Sequence, residues 1–312
     1  MKIKDIEFKN NILLAPMAGV TDVAFRSICI DFGADAGVTE MISAKALTYN
    51  NKKTEDLLIT APNEHIKIAQ IFGSDPVAMA EVCASNYLEK FDIIDINMGC
   101  PAPKIVNNGE GSFLMTNLDL ARSIIEACVK ATTKPITVKF RSGFDNEHIN
   151  AVQFAKMCEK AGASAITIHG RTRTQQYSGK VDLDIIKQVK ESVKIPVIAS
   201  GDVVDKETFE HTLKYTSCDA IMIGRGALGN PFVFADIIDK KYKKDKFEVI
   251  SKHIELLKKY FPMSFISGHI RKHLLWYLKG EPKASDIKNY VSIEPDLDKI
   301  LEKLKEFFAK KN

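Results

Sequence analysis

Eight short apolar runs, separated by stretches of helical spacing, recur through residues 1–238 and narrow the choice of fold more than any other feature. They fall at residues 12–15, 37–39, 66–71, 93–97, 136–139, 165–169, 196–200 and 220–223, and each predicts a strand. Between them lie patterns such as Ala151, Val152, Phe154, Ala155 and Cys158, with apolar positions three and four apart. Alternating strand and helix implies a parallel sheet with right-handed crossovers. Eight such units over about 240 residues fit a closed (β/α)8 TIM barrel. The alternative is an open doubly wound sheet. That fold calls for Gly-x-Gly-x-x-Gly after its first strand, and here the first strand runs into Ala15-Pro16-Met17-Ala18-Gly19.

Past residue 240 the strand signal stops. Residues 240–246 are charged and read as a linker, and helical patterns follow at 247–260, 265–278 and about 296–309. Pro262, Gly280-Glu281-Pro282 and Pro295 punctuate them. The expected organisation is a barrel over residues 1–240 and a small C-terminal α-helical bundle over 241–312.

Charge divides along the same line. Residues 239–312 carry 18 Lys and Arg against 11 Asp and Glu, whereas residues 1–238 carry 26 against 29. A basic bundle on a mildly acidic body points to a polyanionic partner or to a Lys-rich solvated face. No apolar run approaches the ~18 residues of a membrane span. Met1-Lys2-Ile3-Lys4-Asp5 lacks the apolar stretch of a signal peptide. The expectation is a cytoplasmic monomer without a membrane partner. The six cysteines include no Cys-x-x-Cys pair, so no metal is expected. Cys29, Cys83, Cys128 and Cys158 fall in helical patterns and read as small core residues.

Cys100 is different. It follows the fourth strand in Asn97-Met98-Gly99-Cys100-Pro101, where a Gly and a Pro shape a turn. In a parallel barrel the C-terminal strand ends carry the chemistry. The other ends are also polar: Glu40 after the second strand, Gln70 and Gly73 after the third, Lys139 and Arg141 after the fifth, and His169, Arg171 and Arg173 after the sixth. Ser200-Gly201-Asp202 and Gly224-Arg225-Gly226 follow the last two strands, where this fold usually holds a phosphate. A Lys at the mouth must desolvate its charge or meet an anion. One phosphate site with Lys139 and Gln70 at the mouth suits a phosphorylated ring cofactor, although many barrels bind phosphorylated sugars in the same way.

Five blocks, in order and spanning most of the barrel, resemble the signatures of the tRNA-dihydrouridine synthases. They are Ala15-Pro16-Met17-Ala18-Gly19-Val20-Thr21-Asp22 with Phe25-Arg26, Asn97-Met98-Gly99-Cys100-Pro101, Val138-Lys139-Phe140-Arg141, His169-Gly170-Arg171-Thr172-Arg173 and Ile223-Gly224-Arg225-Gly226. Arg271-Lys272-His273-Leu274-Leu275-Trp276-Tyr277 resembles the C-terminal helical RNA-binding domain of that family, most closely its bacterial B-type branch. The resemblance implies FMN at the mouth, NADPH (or alternatively NADH) as reductant, and tRNA as the partner whose uridines are reduced to 5,6-dihydrouridine.

Carried onto this chain, the resemblance gives Pro16, Met17 and Ala18 to the flavin ring face and Gln70 and Lys139 to its polar edge. His169, Ser200, Gly201, Asp202, Gly224 and Arg225 go to the ribityl chain and phosphate. Asn97 and Arg141 would orient the uracil, Tyr177 would lie near it, and Cys100 would be the proton donor. Ser200 departs from the Asn usual in an Asn-Gly-Asp turn, so the side-chain amide of relatives is missing there. Arg171 and Arg173 would clamp RNA backbone near the mouth. Lys243, Lys244, Arg271, Lys272 and His273 would meet phosphates on the bundle, and Trp276 is expected in its core. Deleting residues after about 245 is expected to weaken tRNA binding and leave the flavin bound. Two rivals remain at this point: an FMN barrel acting on a free pyrimidine acid, and a non-catalytic RNA-binding barrel.

Overall fold

The computed structural model describes residues 1–49, 51–243 and 245–310; among these, eight parallel strands close into a barrel. The strands are β1 (Ile12–Leu14), β2 (Ala36–Ser43), β3 (Ile68–Phe72), β4 (Ile93–Met98), β5 (Ile136–Arg141), β6 (Ala165–His169), β7 (Val197–Ser200) and β8 (Ala220–Ile223). They pair in sequence order, and β8 returns to β1. Each expected strand is present. β2 runs further than its apolar stretch, carrying Glu40 inside the strand.

The barrel helices are α1 (Val23–Asp31), α2 (Pro76–Ala84), α3 (Leu118–Ala131), α4 (Ala151–Lys160), α5 (Leu183–Ser192), α6 (Lys206–Thr216) and α7 (Phe232–Ile237). Their apolar faces pack on the outward strand residues, as where Phe154 of α4 meets Phe140 of β5. Cys29, Cys83, Cys128 and Cys158 lie buried in α1 to α4, as their spacing suggested.

Inside the barrel the residues change character with height. Val38, Ile68, Ile93, Ala165, Ile198 and Ala220 form an apolar floor. It is closed by Ile3 and Phe8, on and beside a short antiparallel hairpin (Lys2–Ile3 with Ile6–Glu7) that the strand pattern did not reveal. Two residues on, the inner positions become Gln70, Asp95, Thr137 and Thr167, all buried. Side chains alternate along a strand with period two, so polar residues at these steps build a polar layer above an apolar one.

The C-terminal helices are α8 (Lys246–Tyr260), α9 (Met263–Tyr277), α10 (Ser285–Ile293) and α11 (Leu297–Ala309). The helix α10 lies where Gly280-Glu281-Pro282 suggested only a break. Bundle residues Ile250, Ile254 and Leu257 share one core with Ala24 and Ile28 of α1 and Phe232 of α7. Gly229 sits at φ +66°, and a Cβ there would fall 2.2 Å from the Trp276 carbonyl group. Barrel and bundle are therefore packed as one body. Cutting the chain near residue 245 would uncover Ala24 and Ile28 of α1. Among the described residues no helix is long and apolar enough to cross a membrane.

Candidate active site

Strand register brings distant residues to one rim. Asn97 on β4 pairs with Lys139 on β5, Arg141 with His169 on β6, and His169 with Ser200 on β7. Above them opens a cavity of about 400 Å³. It is lined by Pro16, Met17, Asn97, Cys100, Lys139, Arg141, His169, Tyr177, Ser200, Gly201, Asp202, Gly224 and Arg225, all expected at this site. A cavity of this size suits a small molecule.

Cys100 is half-buried, unlike the other five thiols, which are buried. Burial pushes its pKa up from the usual thiol value, against the opposing effects of the Ala102 N–H and the Arg141 charge. The thiol is therefore protonated at neutral pH. Its loop is held from below. Asn97 Oδ1 accepts from the backbone N–H of Gly99 (3.1 Å) and Cys100 (2.9 Å), and Asn97 Nδ2 donates to Gln70 Oε1 at 2.8 Å. Gln70 Nε2 donates to Asp95 Oδ2 at 2.7 Å, and Thr137 Oγ1 to Asp95 Oδ1 at 2.6 Å. This buried chain fixes which way the Asn97 amide faces.

Gln70 was expected on the cofactor edge; it lies wholly buried beneath the rim, with both ends of its amide engaged. The signal for the network was in the sequence, as polar residues at i and i+2 inside apolar strands.

The rim is cationic. Burial, with Arg141 adjacent, lowers Lys139 to about 8, against the pull of Asp95. Arg141 falls to about 10, chiefly through burial, and stays charged at neutral pH. It donates to the carbonyls of Gly99, Thr172 and Gln176, tying the Cys100 loop to the loop after β6. Burial and the four cations Lys139, Arg141, Arg171 and Arg225 keep the His169 imidazole neutral.

Asp202 bonds Arg171 at 2.6 Å and Arg225 at 3.1 Å. Burial alone would raise its pKa, but these partners and the Val181 N–H hold it below the usual range. Gly201 has φ +129°, and a Cβ there would meet Val181 at 2.7 Å and His169 at 3.2 Å. Behind β8 stands only a 3-10 turn, Arg225–Ala227, and the N-terminus of α6 is capped by Asp205. An anion at this end would meet loop N–H groups, Arg225 and Lys139 rather than a free helix end. The half-exposed Tyr177 ring lies 4.9 Å from the Arg225 guanidinium and 5.9 Å from that of Arg141. The geometry fits an anionic, partly aromatic ligand: cations and a neutral imidazole around a cavity floored by Ala15, Met17 and Met222.

Other expected residues lie elsewhere. Ala18 is exposed and does not line the cavity. Arg171 is buried and spends its donors on Ser178 O, Gly179 O and Asp202, so it braces a loop rather than facing solvent. The Arg173 guanidinium sits 5.0 Å over the Phe144 ring. Arg271 donates to the carbonyls of Ser267, Val291 and Glu294, tying α9 to the end of α10. His273 is wholly buried in the barrel–bundle seam. Lys272 is also drawn into the seam, 3.4 Å from His269 Nδ1. Lys243 pairs with Asp245 at 3.5 Å; Lys244 lies outside the described residues. Trp276 is partly buried against His273.

One participant was not foreseen, and one strand-end residue, Glu40, has a positioning role that its place did not reveal. Lys279, just past the end of α9, lines the cavity from the bundle side. Glu40 accepts the Gly19 N–H and so holds the loop that carries Pro16 and Met17. A closed parallel barrel with a protonated thiol, a cationic rim and a bundle lysine at its mouth places the chain in the TIM-barrel class, with a rim whose charge and size fit a small anionic ligand.

The family pattern "Dihydrouridine synthase (Dus)" matches residues 13–312, and the chain belongs to that family. It is 40% identical over 290 residues to "tRNA-dihydrouridine synthase B" of Pasteurella multocida (strain Pm70), covering 90% of this chain and 87% of that one. It is 38% identical over 320 residues to "Probable tRNA-dihydrouridine synthase" of Rickettsia bellii (strain RML369-C), covering 99% and 98%. Among solved structures, the 6-hydroxypseudooxynicotine amine oxidase of Pseudomonas geniculata N1 superposes with a TM-score of 0.60 at 13% identity. That match covers 77% of this chain and 48% of that one. At such identity it speaks for the barrel alone.

Proposed function

We propose that this chain reduces selected uridines of tRNA to 5,6-dihydrouridine with FMN as bound cofactor and NADPH as reductant, acting as a cytoplasmic monomer. Family membership supports the reaction. The observation that carries the assignment to this cavity is the protonated, half-exposed Cys100 on the same rim as Lys139, His169 and Arg225. When bound, FMN supplies the hydride. Pro16 and Met17 would pack on its ring, Lys139 would bond its polar edge, and Gly201, Gly224, Arg225 and the neutral His169 would hold the ribityl phosphate.

Cys100 holds the proton that uracil carbon 5 needs, which suits a thiol raised rather than lowered in pKa. Arg141 lies beside that thiol and Tyr177, where a uracil carbonyl would gain negative charge during reduction. Asn97 positions the Cys100 loop through both N–H groups, a task distinct from touching the base. The base must leave the tRNA stack, which costs a few kcal/mol. Phosphate contacts from Lys279 and the basic bundle offset that cost.

The test is to load the protein with FMN, supply NADPH and tRNA lacking the modification, and weigh the digested nucleosides. A gain of two hydrogens on uridine is expected. Flavin uptake without any such gain would sink the assignment, and no flavin uptake would sink the cofactor reading.

A further inference from the structure

The seam between barrel and bundle holds a cluster for which the reaction has no use. Asp22 caps α1 through Oδ1, which accepts from the N–H groups of Ala24 and Phe25. Its other oxygen, Oδ2, faces the bundle and lies 2.7 Å from His269 Nε2. His269 and His273 are four residues apart on α9, so their rings share one helix face. One donor atom from each of Asp22, His269 and His273 falls within 4.8 Å of the other two. The His269 and Asp22 side chains are 7% and 4% exposed.

His273 supplies the independent observation. It is wholly buried, and neither ring nitrogen has a hydrogen-bond partner among the described residues. Buried polar atoms are almost always satisfied. The His269–Asp22 bond does not answer either nitrogen. His253, whose Nε2 is likewise buried without a partner, has its ring centroid 4.7 Å from that of His273.

We propose that Asp22, His269 and His273 bind a divalent transition metal, zinc by donor type, and that this ion fastens α9 to the barrel loop that lines the cavity. Two imidazoles and a carboxylate match zinc, leaving a fourth position for water. For His269 to ligate through Nε2, its proton must sit on Nδ1. Lys272, 3.4 Å from Nδ1, then turns away from that nitrogen. The ion enters as the two parts pack, since the seam is closed in the folded protein.

The experiment uses the full chain, purified without a polyhistidine tag and analysed for bound metal. It is then refolded with Co²⁺ or Zn²⁺ beside Asp22→Asn and His269→Gln. Asn at position 22 retains the helix cap. Wild-type protein is expected to hold one equivalent of zinc, to show the visible absorption of four-coordinate Co²⁺, and to melt at higher temperature with Zn²⁺. Both variants are expected to bind at least about tenfold more weakly and to lose the melting shift. Equal binding by wild type and variants would place the metal elsewhere and overturn the proposal. So would a wild type with neither bound metal nor Co²⁺ absorption after refolding. If circular dichroism shows that the variants fail to fold, the wild-type stoichiometry and Co²⁺ spectrum decide alone.

Discussion

The barrel mouth and the buried wall under α1 use the same kinds of side chain to opposite ends. On the barrel-facing side of α1, packed against Gly37, Arg26 is 1% exposed and has its donors satisfied. It meets Glu64 through Nε at 2.9 Å and a second nitrogen at 3.1 Å, and it donates to Thr21 O and Ile59 O. At the mouth, Arg225 is 46% exposed, shares Asp202 with Arg171, and leans on an exposed Tyr177 ring. The first arginine is finished by the fold. The second leaves bonding capacity toward the cavity. Buried, fully paired groups hold structure, whereas cations gathered on a rim await an anion. Both arginines sit in motif blocks of equal prominence, so prominence in the sequence does not separate them.

The largest test of this contrast is at the mouth. Cys100→Ala is expected to lower dihydrouridine formation by about 100- to 10,000-fold, the range for a lost general acid. FMN binding and its reduction by NADPH should continue, as read by flavin absorbance in a stopped-flow instrument. Full turnover by this variant would remove the thiol from the chemistry.

Under α1, Arg26→Ala leaves Glu64 buried without its partner. A loss of about 3–5 kcal/mol in unfolding free energy is expected from denaturant titration. Arg225→Ala should leave that titration nearly unchanged and instead weaken FMN binding by roughly 10- to 100-fold, the worth of a charge-assisted hydrogen bond. Exchange of these two outcomes would invert the comparison.

A pH series sharpens it further. Lys139, lowered to about 8 in the free protein, is charged below that pH and neutral above it. An anionic ligand prefers the charged form, so the FMN dissociation constant should rise severalfold between pH 7 and pH 9. Lys139→Gln should bind more weakly and show a flat profile. The same group gives a stability sign. Its folded value lies below the usual ~10.4 of Lys, so the unfolded chain holds more protons in that window. The flavin-free protein should therefore gain stability from about pH 8 upward through this residue.

The smallest effect is expected at Lys279, where bundle and mouth meet. Lys279→Ala should weaken tRNA binding a few-fold and reduce the slope of log affinity against log salt by about 1. An unchanged slope would take Lys279 off the phosphate backbone.

Much of the site was legible because the fold turns strand ends into an active-site rim by rule. Once eight strands are read, Cys100, Lys139, His169 and Arg225 fall at one end without further information, and they meet there. Gln70, Arg171 and Arg271 were placed by motif alone, and their protein partners could not be read from it. Whether a long polar side chain reaches solvent or turns back to a neighbouring carbonyl depends on partners that arrive from distant sequence. Arg171 found Asp202 and the turn at Ser178 and Gly179; Arg271 found the last carbonyls of α10.

By itself the sequence determined the alternation of strand and helix, the closure into eight units, and the identity of the one thiol set at a strand end. Those follow from local periodicity and from short-range turn chemistry, which need no tertiary partner. Only the folded molecule decided which charges are spent and which are held ready. It also decided that α8 and α9 seal α1 rather than stand apart, and that three side chains from residues 22, 269 and 273 converge in a buried seam. Burial and electrostatic pairing are properties of the whole packed chain, and no window of sequence contains both members of such a pair.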